Sequence, residues 1–350
     1  MPLYLHGLTP VGGPALYRVP DADGPVYTIE HQGMAAVVRP TAQRTYQHLE
    51  RREALLHLVL HQRVAEAIQA ETPLLPVQFG TVLDNEEQVR MLLSLGADRF
   101  AEALRQLDGL VQMEITVLWD LEHVFAEIRH EPAVAALQHN LTTWPADEQE
   151  AGRVQLGQIV KERLEYRRAR LKAPIDQALQ AVATASEALP ILDDRMVTGL
   201  TLLLNDHQED ELDDALTTLD AAHGDLLTFK CVGPMAPHRF AQVRVEMVDG
   251  AILNQARALL RLPAGPTTLA DVKRAYRLRA GELHPDHNPS TDEATMQALH
   301  DAFTLITTFV EGRLGAPAPG EAPHCSLDLA AQPHLLYHLD LSVRRSALAA

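Results

Sequence analysis

Hydrophobic and polar positions recur along this chain with two periods, and the switches between them mark its elements. Residues 3–8, 26–30 and 34–38 read as strands, broken by Gly and Pro at 10–14, joined near Gln32-Gly33 and closed by Pro40. From 45 to 70 the apolar residues Leu49, Leu55, Leu56, Val59, Leu60, Val64, Ala67 and Ile68 stand at helical spacing, which predicts an amphipathic helix. Pro73 and Pro76 then enforce an extended path into residues 77–82, and Asp84 or Asn85 caps a helix over 86–107. Met113, Ile115, Val117 and Trp119 alternate with Gln112, Glu114, Thr116 and Leu118, the pattern of a half-buried strand. This order predicts an α+β domain over residues 1–125, helices on one sheet in a ferredoxin-like layout.

Between 131 and 152 the composition turns to Pro, Gln, Thr and Asp, and 155–182 is strongly helical with Pro174 as a kink or restart, so 126–190 reads as a helical linker region. The mixed charges of 161–172 fit a solvated helix face. A second α+β domain is expected over 191–250, from an apolar run at 196–204, a helix at 209–222, a strand at 226–232, a loop at 233–240 and the alternating Val243, Val245 and Met247. The expected fold class is therefore α+β: two ferredoxin-like domains joined by a long helical region, followed by a helical segment at 251–315 and a Pro-rich linker and tail at 316–350. The tail residues His334, Leu335, Leu336, Tyr337, Leu339, Leu341 and Val343 suit either a docked segment or a partner-binding strand.

Composition narrows the functions. The 350 residues allow two or three domains, and 46% hydrophobic with 22% charged residues is ordinary for globular protein. A net charge of −17 argues against a general binder of nucleic acid or anionic membrane. Two cysteines, Cys231 and Cys325, support neither a disulfide framework nor a CxxC metal site, which suits a reducing cytoplasm. No segment approaches the ~20 apolar residues of a membrane span. The seventeen histidines are scattered, and no metal site or cofactor is expected. No phosphate loop, GxSxG elbow or HExxH pair is present, so no enzymatic activity is expected.

One stretch points to a specific partner. Residues 271–289 carry Val272, Ala275, Tyr276, Leu278 and Leu283 as an apolar stripe, with Lys273, Arg274, Arg277 and Arg279 forming a basic face. Pro285 disfavours helix at His284, so the helix ends there in a polar loop, and Asp292 can cap a second helix bearing Leu299, Ala302, Phe303, Ile306 and Phe309. A basic helix, His284-Pro285-Asp286 and a second helix in this order resemble a J domain, the module that docks on DnaK-type ATPase chaperones; the segment 252–268 fits its short first helix and loop. The resemblance implies that His284, Pro285 and Asp286 promote ATP hydrolysis by the chaperone, while Lys273, Arg274, Arg277 and Arg279 steer docking onto an acidic surface. Ala280-Gly281 before the loop departs from a strong helix end.

A second resemblance lies upstream. The ordered run from residue 57 to 93, with Leu75, Pro76, Phe79, Gly80 and Thr81 as its centre and Glu114, Ile115 and Val117 beyond, is similar to the N-terminal domain of the gas vesicle GvpF/GvpL family, although Gln78 stands where an arginine is expected. The loop Gly233, Pro234, Pro237 and Phe240 resembles one in the second domain of that family, with Met235 for an aromatic residue and His238 for tyrosine. Together they span about residues 1–250. The resemblance implies a gas vesicle assembly protein that contacts the hydrophobic shell subunit GvpA and other gas vesicle accessory proteins. Beside it stand two further readings: a structural gas vesicle component whose J-like helices only pack, and a general DnaJ-type co-chaperone, against which the lack of a Gly/Phe-rich stretch and zinc-ribbon cysteines argues.

Overall fold

In the computed structural model of the chain, residues 1–20, 22–43, 45–46, 48–205, 208–284, 292–313, 324–329 and 333–342 are described. In chain order the elements are β1 (Leu3–Pro10), β2 (Leu16–Tyr17), β3 (Val26–His31), β4 (Met34–Pro40), α1 (Arg51–Gln69), β5 (Leu75–Pro76), β6 (Val82–Leu83) and α2 (Glu86–Leu107). There follow β7 (Leu110–Trp119), α3 (Leu121–His130), α4 (Pro132–Leu141), α5 (Ala146–Ala181), β8 (Ala185–Ala188), β9 (Met196–Asn205), α6 (Gln208–His223) and β10 (Leu227–Met235). The last are β11 (Ala241–Val248), α7 (Gly250–Leu259), β12 (Pro266–Thr267), α8 (Leu269–Leu283), α9 (Glu293–Glu311), β13 (Cys325–Ser326) and β14 (His334–Leu341).

They form two compact units, Met1–Asp108 with Phe240–Ser342, and Gly109–Arg239. In the first, the sheet runs β2-β3-β4-β1-β5, with β6 also on β1. Leu5, Leu8, Val37 and Val38 are fully buried in it, and α2 packs its face of Val89, Leu92, Leu93 and Phe100 into the same core. Asn85 caps α2 by accepting from Gln88 N–H, the use for which a short polar side chain is favoured at that position. In the second unit the sheet order is β10-β7-β9-β8, every neighbouring pair antiparallel. Ile115, Val117, Val197, Leu200 and Leu202 from this sheet close with Leu164, Ile175 and Leu179 of α5 into one core.

These units redraw the expected boundaries. The strand at 110–119, assigned from its alternation to a domain ending at 125, sits centrally in the sheet of the second unit, paired with β9 and β10. Alternation predicts a strand but not its partner. The first unit's sheet is built from hairpins and short strands rather than from a βαββαβ series. Residues 131–152, within the expected helical linker region, take the helical alternative through α4 and the start of α5, and α5 continues past Pro174 to Ala181. The alternating Val243, Val245 and Met247 leave the second α+β domain altogether: β11 pairs along its full length with β14 of the tail, Val243 opposite Leu339 and Val245 opposite Tyr337. The expected tail is thus a docked strand, with Tyr337 edge-on to Phe100 at 4.9 Å.

Candidate functional site

The motif at 75–81 is the hub of the first unit. Leu75 and Pro76 pair with β1 at Leu8 and Gly7, and Val77 bridges in parallel to Val243. The chain then turns back: Thr81 Oγ1 donates to the Gln78 carbonyl at 2.7 Å, and Leu5 N–H donates to Thr81 O at 3.0 Å. Gly80 makes that turn with φ +85°, and a Cβ there would stand 3.0 Å from Tyr46 Cβ. Both the left-handed backbone and the close approach require glycine. Gln78, at the position where arginine is expected, is exposed and donates its own N–H to Val243 O.

Under this turn lies an aromatic and histidine cluster. Tyr4 Oη accepts from Gly80 N–H at 3.0 Å and hydrogen-bonds His61 Nδ1 at 3.0 Å. Phe79 sits edge-on to Tyr4, Tyr46 and His61. His6 is buried and stacks on His61 at 5.5 Å, and neither of its ring nitrogens has a hydrogen-bond partner among the described residues. Burial, aided by His61 and by the charge of Arg39, holds the His6 pKa well below the usual value. Burial likewise raises that of the Tyr4 phenol. His57 lies edge-on to Tyr46 at 5.0 Å, so histidines 6, 57 and 61 gather near the turn, but among the described residues no group of three ligands has metal-binding geometry.

Above the cluster runs α1, and here the structure corrects the sequence reading. Only Val64, Ala65 and Ile68 of its C-terminal half are buried. Leu55, Leu56, Leu58 and Val59, of which Leu55, Leu56 and Val59 stand at the helical spacing of the predicted amphipathic helix, are 46 to 66% exposed. Arg51, Arg52 and Arg63 are exposed beside them. The warning lay in the stripe's width: residues 54–60 carry apolar side chains almost all round the helix, more than one core-facing stripe uses.

The helical segment at 250–311 belongs to the same unit. A capping box between Thr268 and Asp271 starts α8, which ends at Leu283, with His284 extended at φ −62°, ψ 134°. Asp292 caps α9 by accepting from Thr295 N–H. Val272, Leu299, Ala302, Ile306 and Phe309 are buried, and Tyr276 stacks on Phe303 at 4.4 Å. Leu278, expected in the apolar stripe, is 64% exposed. His284 is exposed at the helix end, whereas Pro285 and Asp286 lie outside the described residues. Lys273, Arg274 and Arg277 are exposed on α8, Arg274 paired with Asp271 at 3.4 Å. Arg279 instead turns inward, donating from Nε to Leu259 O at the end of α7 and pairing with Glu282. It holds two helices together, a role its place in a basic run did not reveal. The tail closes this core with Cys325, Leu327, Leu329 and Leu336.

In the second unit, the C-terminal end of β10, where the loop begins, contains a cis Gly233–Pro234 bond, and Gly233 has φ +135° with no room for a Cβ, which would stand 2.7 Å from Gln112 O. Gln112, buried, is the residue sequence reasoning missed: its Oε1 accepts from Arg239 N–H at 3.0 Å, and its amide lies against Met235 sulfur and Glu114. Burial lowers the pKa of His238 in the same loop. Pro237 is buried there, as is Phe240 in the first unit. The described residues contain no helix long and apolar enough to cross a membrane.

Residues 2–242 match the model of the gas vesicle synthesis protein GvpL/GvpF family, and the chain belongs to that family. It is similar to gas vesicle protein F of Haloferax mediterranei, 19% identical over 220 residues, covering 63% of this chain and 83% of that protein. Its fold is similar to the crystal structures of GvpF from Microcystis aeruginosa, with TM-score 0.53, 21% identity and coverage of 68% of this chain and 98% of that one, and from Anabaena sp. PCC7120, with TM-score 0.56, 20% identity and coverage of 68% and 96%. The family match ends before α7, so the helical segment and tail lie beyond it.

Proposed function

We propose that the protein is an accessory factor of gas vesicle assembly that holds the shell subunit GvpA on the outward face of α1 and recruits a DnaK-type chaperone through the segment containing His284, Pro285 and Asp286. The carrying observation is the row of exposed aliphatic side chains, Leu55, Leu56, Leu58 and Val59, on a helix anchored by the family motif. A patch of this kind on a soluble body is the usual mark of an interaction surface. Burying a Leu or Val side chain fully is worth about 1.5–3 kcal/mol, so covering four half-exposed ones supports a reversible hold once association costs are met. Reversibility suits a factor that must release its client into a growing shell. Tethering a chaperone to the same chain raises its local concentration at the client. The element order β7-α-β8-β9-α6-β10, with strand order β10-β7-β9-β8, supports reading the second unit as ferredoxin-like.

A second reading is favoured by one observation: Arg279 and the tail residues Leu327 and Leu336 tie the J-like helices into the first unit's core. In that reading the helices are a packing element without chaperone activity. Two assays separate the readings. Light scattering of shell subunit diluted from denaturant should fall in the presence of the protein and recover with Leu56→Glu; an unchanged effect of that variant contradicts the α1 assignment. Single-turnover ATP hydrolysis by the DnaK-type chaperone should rise with the protein and not with His284→Gln; no rise with either form leaves the packing reading.

A further inference from the structure

The N-terminal half of α1 is joined to its unit through histidines. None of residues 51–63 is buried, and the aliphatic anchors Val64, Ala65 and Ile68 all lie in the C-terminal half. The earlier turns meet the rest of the unit through ring contacts. His57 lies edge-on to Tyr46 at 5.0 Å, while His61 stacks on His6 at 5.5 Å and lies edge-on to Tyr4 and Phe79 at 5.7 and 5.8 Å. Segments with few buried apolar contacts are the ones that open locally while the remainder of a domain stays folded.

Both rings of the stack are built to be neutral. Tyr4 Oη accepts from Gly80 N–H, so its own proton is left to donate to His61 Nδ1, and neutral His61 carries its hydrogen on Nε2. A protonated His61 would bear hydrogen on Nδ1 too, and the bond could re-form only after the phenol turned its own proton away. His6 is buried, with neither ring nitrogen bonded among the described residues. It meets His61 from α1 and Tyr4 from β1, and Arg39 of β4 stands over the Tyr4 ring at 5.8 Å. Burial first, then the charges of His61 and Arg39, disfavour a proton on His6, and no carboxylate is among the groups acting on it. The further ionisable groups of α1, Arg51, Arg52, Glu53, Arg63 and Glu66, are exposed.

We propose that the stack of His6 on His61 is an acid-sensitive latch, and that a proton entering it frees residues 51–62 of α1 while Val64, Ala65 and Ile68 keep the end of the helix in place. The direction follows from burial. With the latch closed, His6 is held neutral; with α1 lifted it meets water, regains an ordinary value near 6.5 and takes up a proton. Opening is therefore favoured as pH falls below that value. One histidine that protonates only in the open state raises the open-to-closed ratio about tenfold between pH 7.5 and pH 5.5, and protonation of His61 adds to this. The latch belongs to the fold and needs no client. That it governs the face of Leu55, Leu56, Leu58 and Val59 as a client seat rests on the reading of α1 given above.

Amide exchange of the full chain at pH 7.5 and pH 5.5, expressed as protection factors so that the intrinsic pH dependence of exchange is removed, tests the latch without any client. Protection over residues 54–62 should fall about tenfold or more at the lower pH, while that of α2 over 86–107 changes by less than about twofold. The fall should shrink in His6→Leu, which takes the titrating ring out of the buried position. It should shrink also in His61→Gln, whose side-chain oxygen still accepts from Tyr4 but does not titrate, so the test survives if one variant folds poorly. Unchanged protection over 54–62 in the parent chain overturns the proposal, and so does a fall that persists undiminished in both variants. An equal fall over α1 and α2 would mean acid unfolding of the whole unit and likewise rejects it. Opening of 54–62 with no change in binding of the shell subunit at pH 5.5 supports the latch and rejects only α1 as the client's seat.

Discussion

Gly80 donates its backbone N–H to the hydroxyl of Tyr4 across 76 positions of sequence. That bond fixes the turn at Gly80 to the first strand, and the same hydroxyl reaches His61 on α1. The helix that presents the exposed aliphatic face is therefore linked through Tyr4 to the turn at Gly80. This linkage makes the site sensitive to small changes well away from Leu56.

Gly80→Ala should destabilise the protein by about 1–3 kcal/mol, since the left-handed backbone is strained for alanine and the new methyl meets Tyr46. Tyr4→Phe should cost about 1–3 kcal/mol by leaving the Gly80 N–H without its acceptor. Urea unfolding of each variant measures both, and a neutral Gly80→Ala would contradict the turn as described.

Stability should fall with acid through His6. Its folded pKa is depressed, chiefly by burial, below the ordinary value near 6.5. The neutral form is thus favoured in the folded state, and the contribution is full above that ordinary value and is lost as pH falls below it. The drop in urea midpoint from pH 7 to pH 5 should shrink in His6→Leu, and an unchanged drop would place the acid sensitivity elsewhere.

The basic residues of α8 should divide into two groups. Arg279→Ala should lower the melting temperature, because the guanidinium ties α8 to Leu259. Lys273→Ala, Arg274→Ala and Arg277→Ala lie on the exposed face and should change stability by less than about 0.5 kcal/mol, while reducing any chaperone stimulation more at low salt than at high salt. Melting curves and ATPase assays at two ionic strengths test the division.

Leu336→Ala should destabilise the first unit by about 2–5 kcal/mol, because the side chain is buried in the core closed by α7, α9 and the tail. Proteolysis of the variant should cut first between α8 and β14. Resistance equal to the parent chain would mean that the tail is dispensable.

Much of this was readable from local pattern. The helix over 86–107, the helix stop at His284 before Pro285 and the cap at Asp292 follow from residues within a turn of each boundary, where proline and capping chemistry act. Pairing was not readable in the same way. Nothing local to Met113, Ile115 and Val117 says that β9, some eighty residues on, is the partner, or that Val243 will face Leu339 of the tail. The site divides likewise. Gly80 and Thr81 were legible as a motif, but Arg279 looked like the other basic residues until α7 was seen beside it, and the leucines of α1 looked like core until only Val64, Ala65 and Ile68 proved buried.

The most direct measurement is amide exchange of the full chain with and without shell subunit. The account predicts that added GvpA slows exchange over residues 54–60 of α1, and that Leu56→Glu abolishes the protection while leaving the melting temperature within a few degrees of the parent. Protection that falls elsewhere, or that survives Leu56→Glu, would contradict the claim that α1 holds the client.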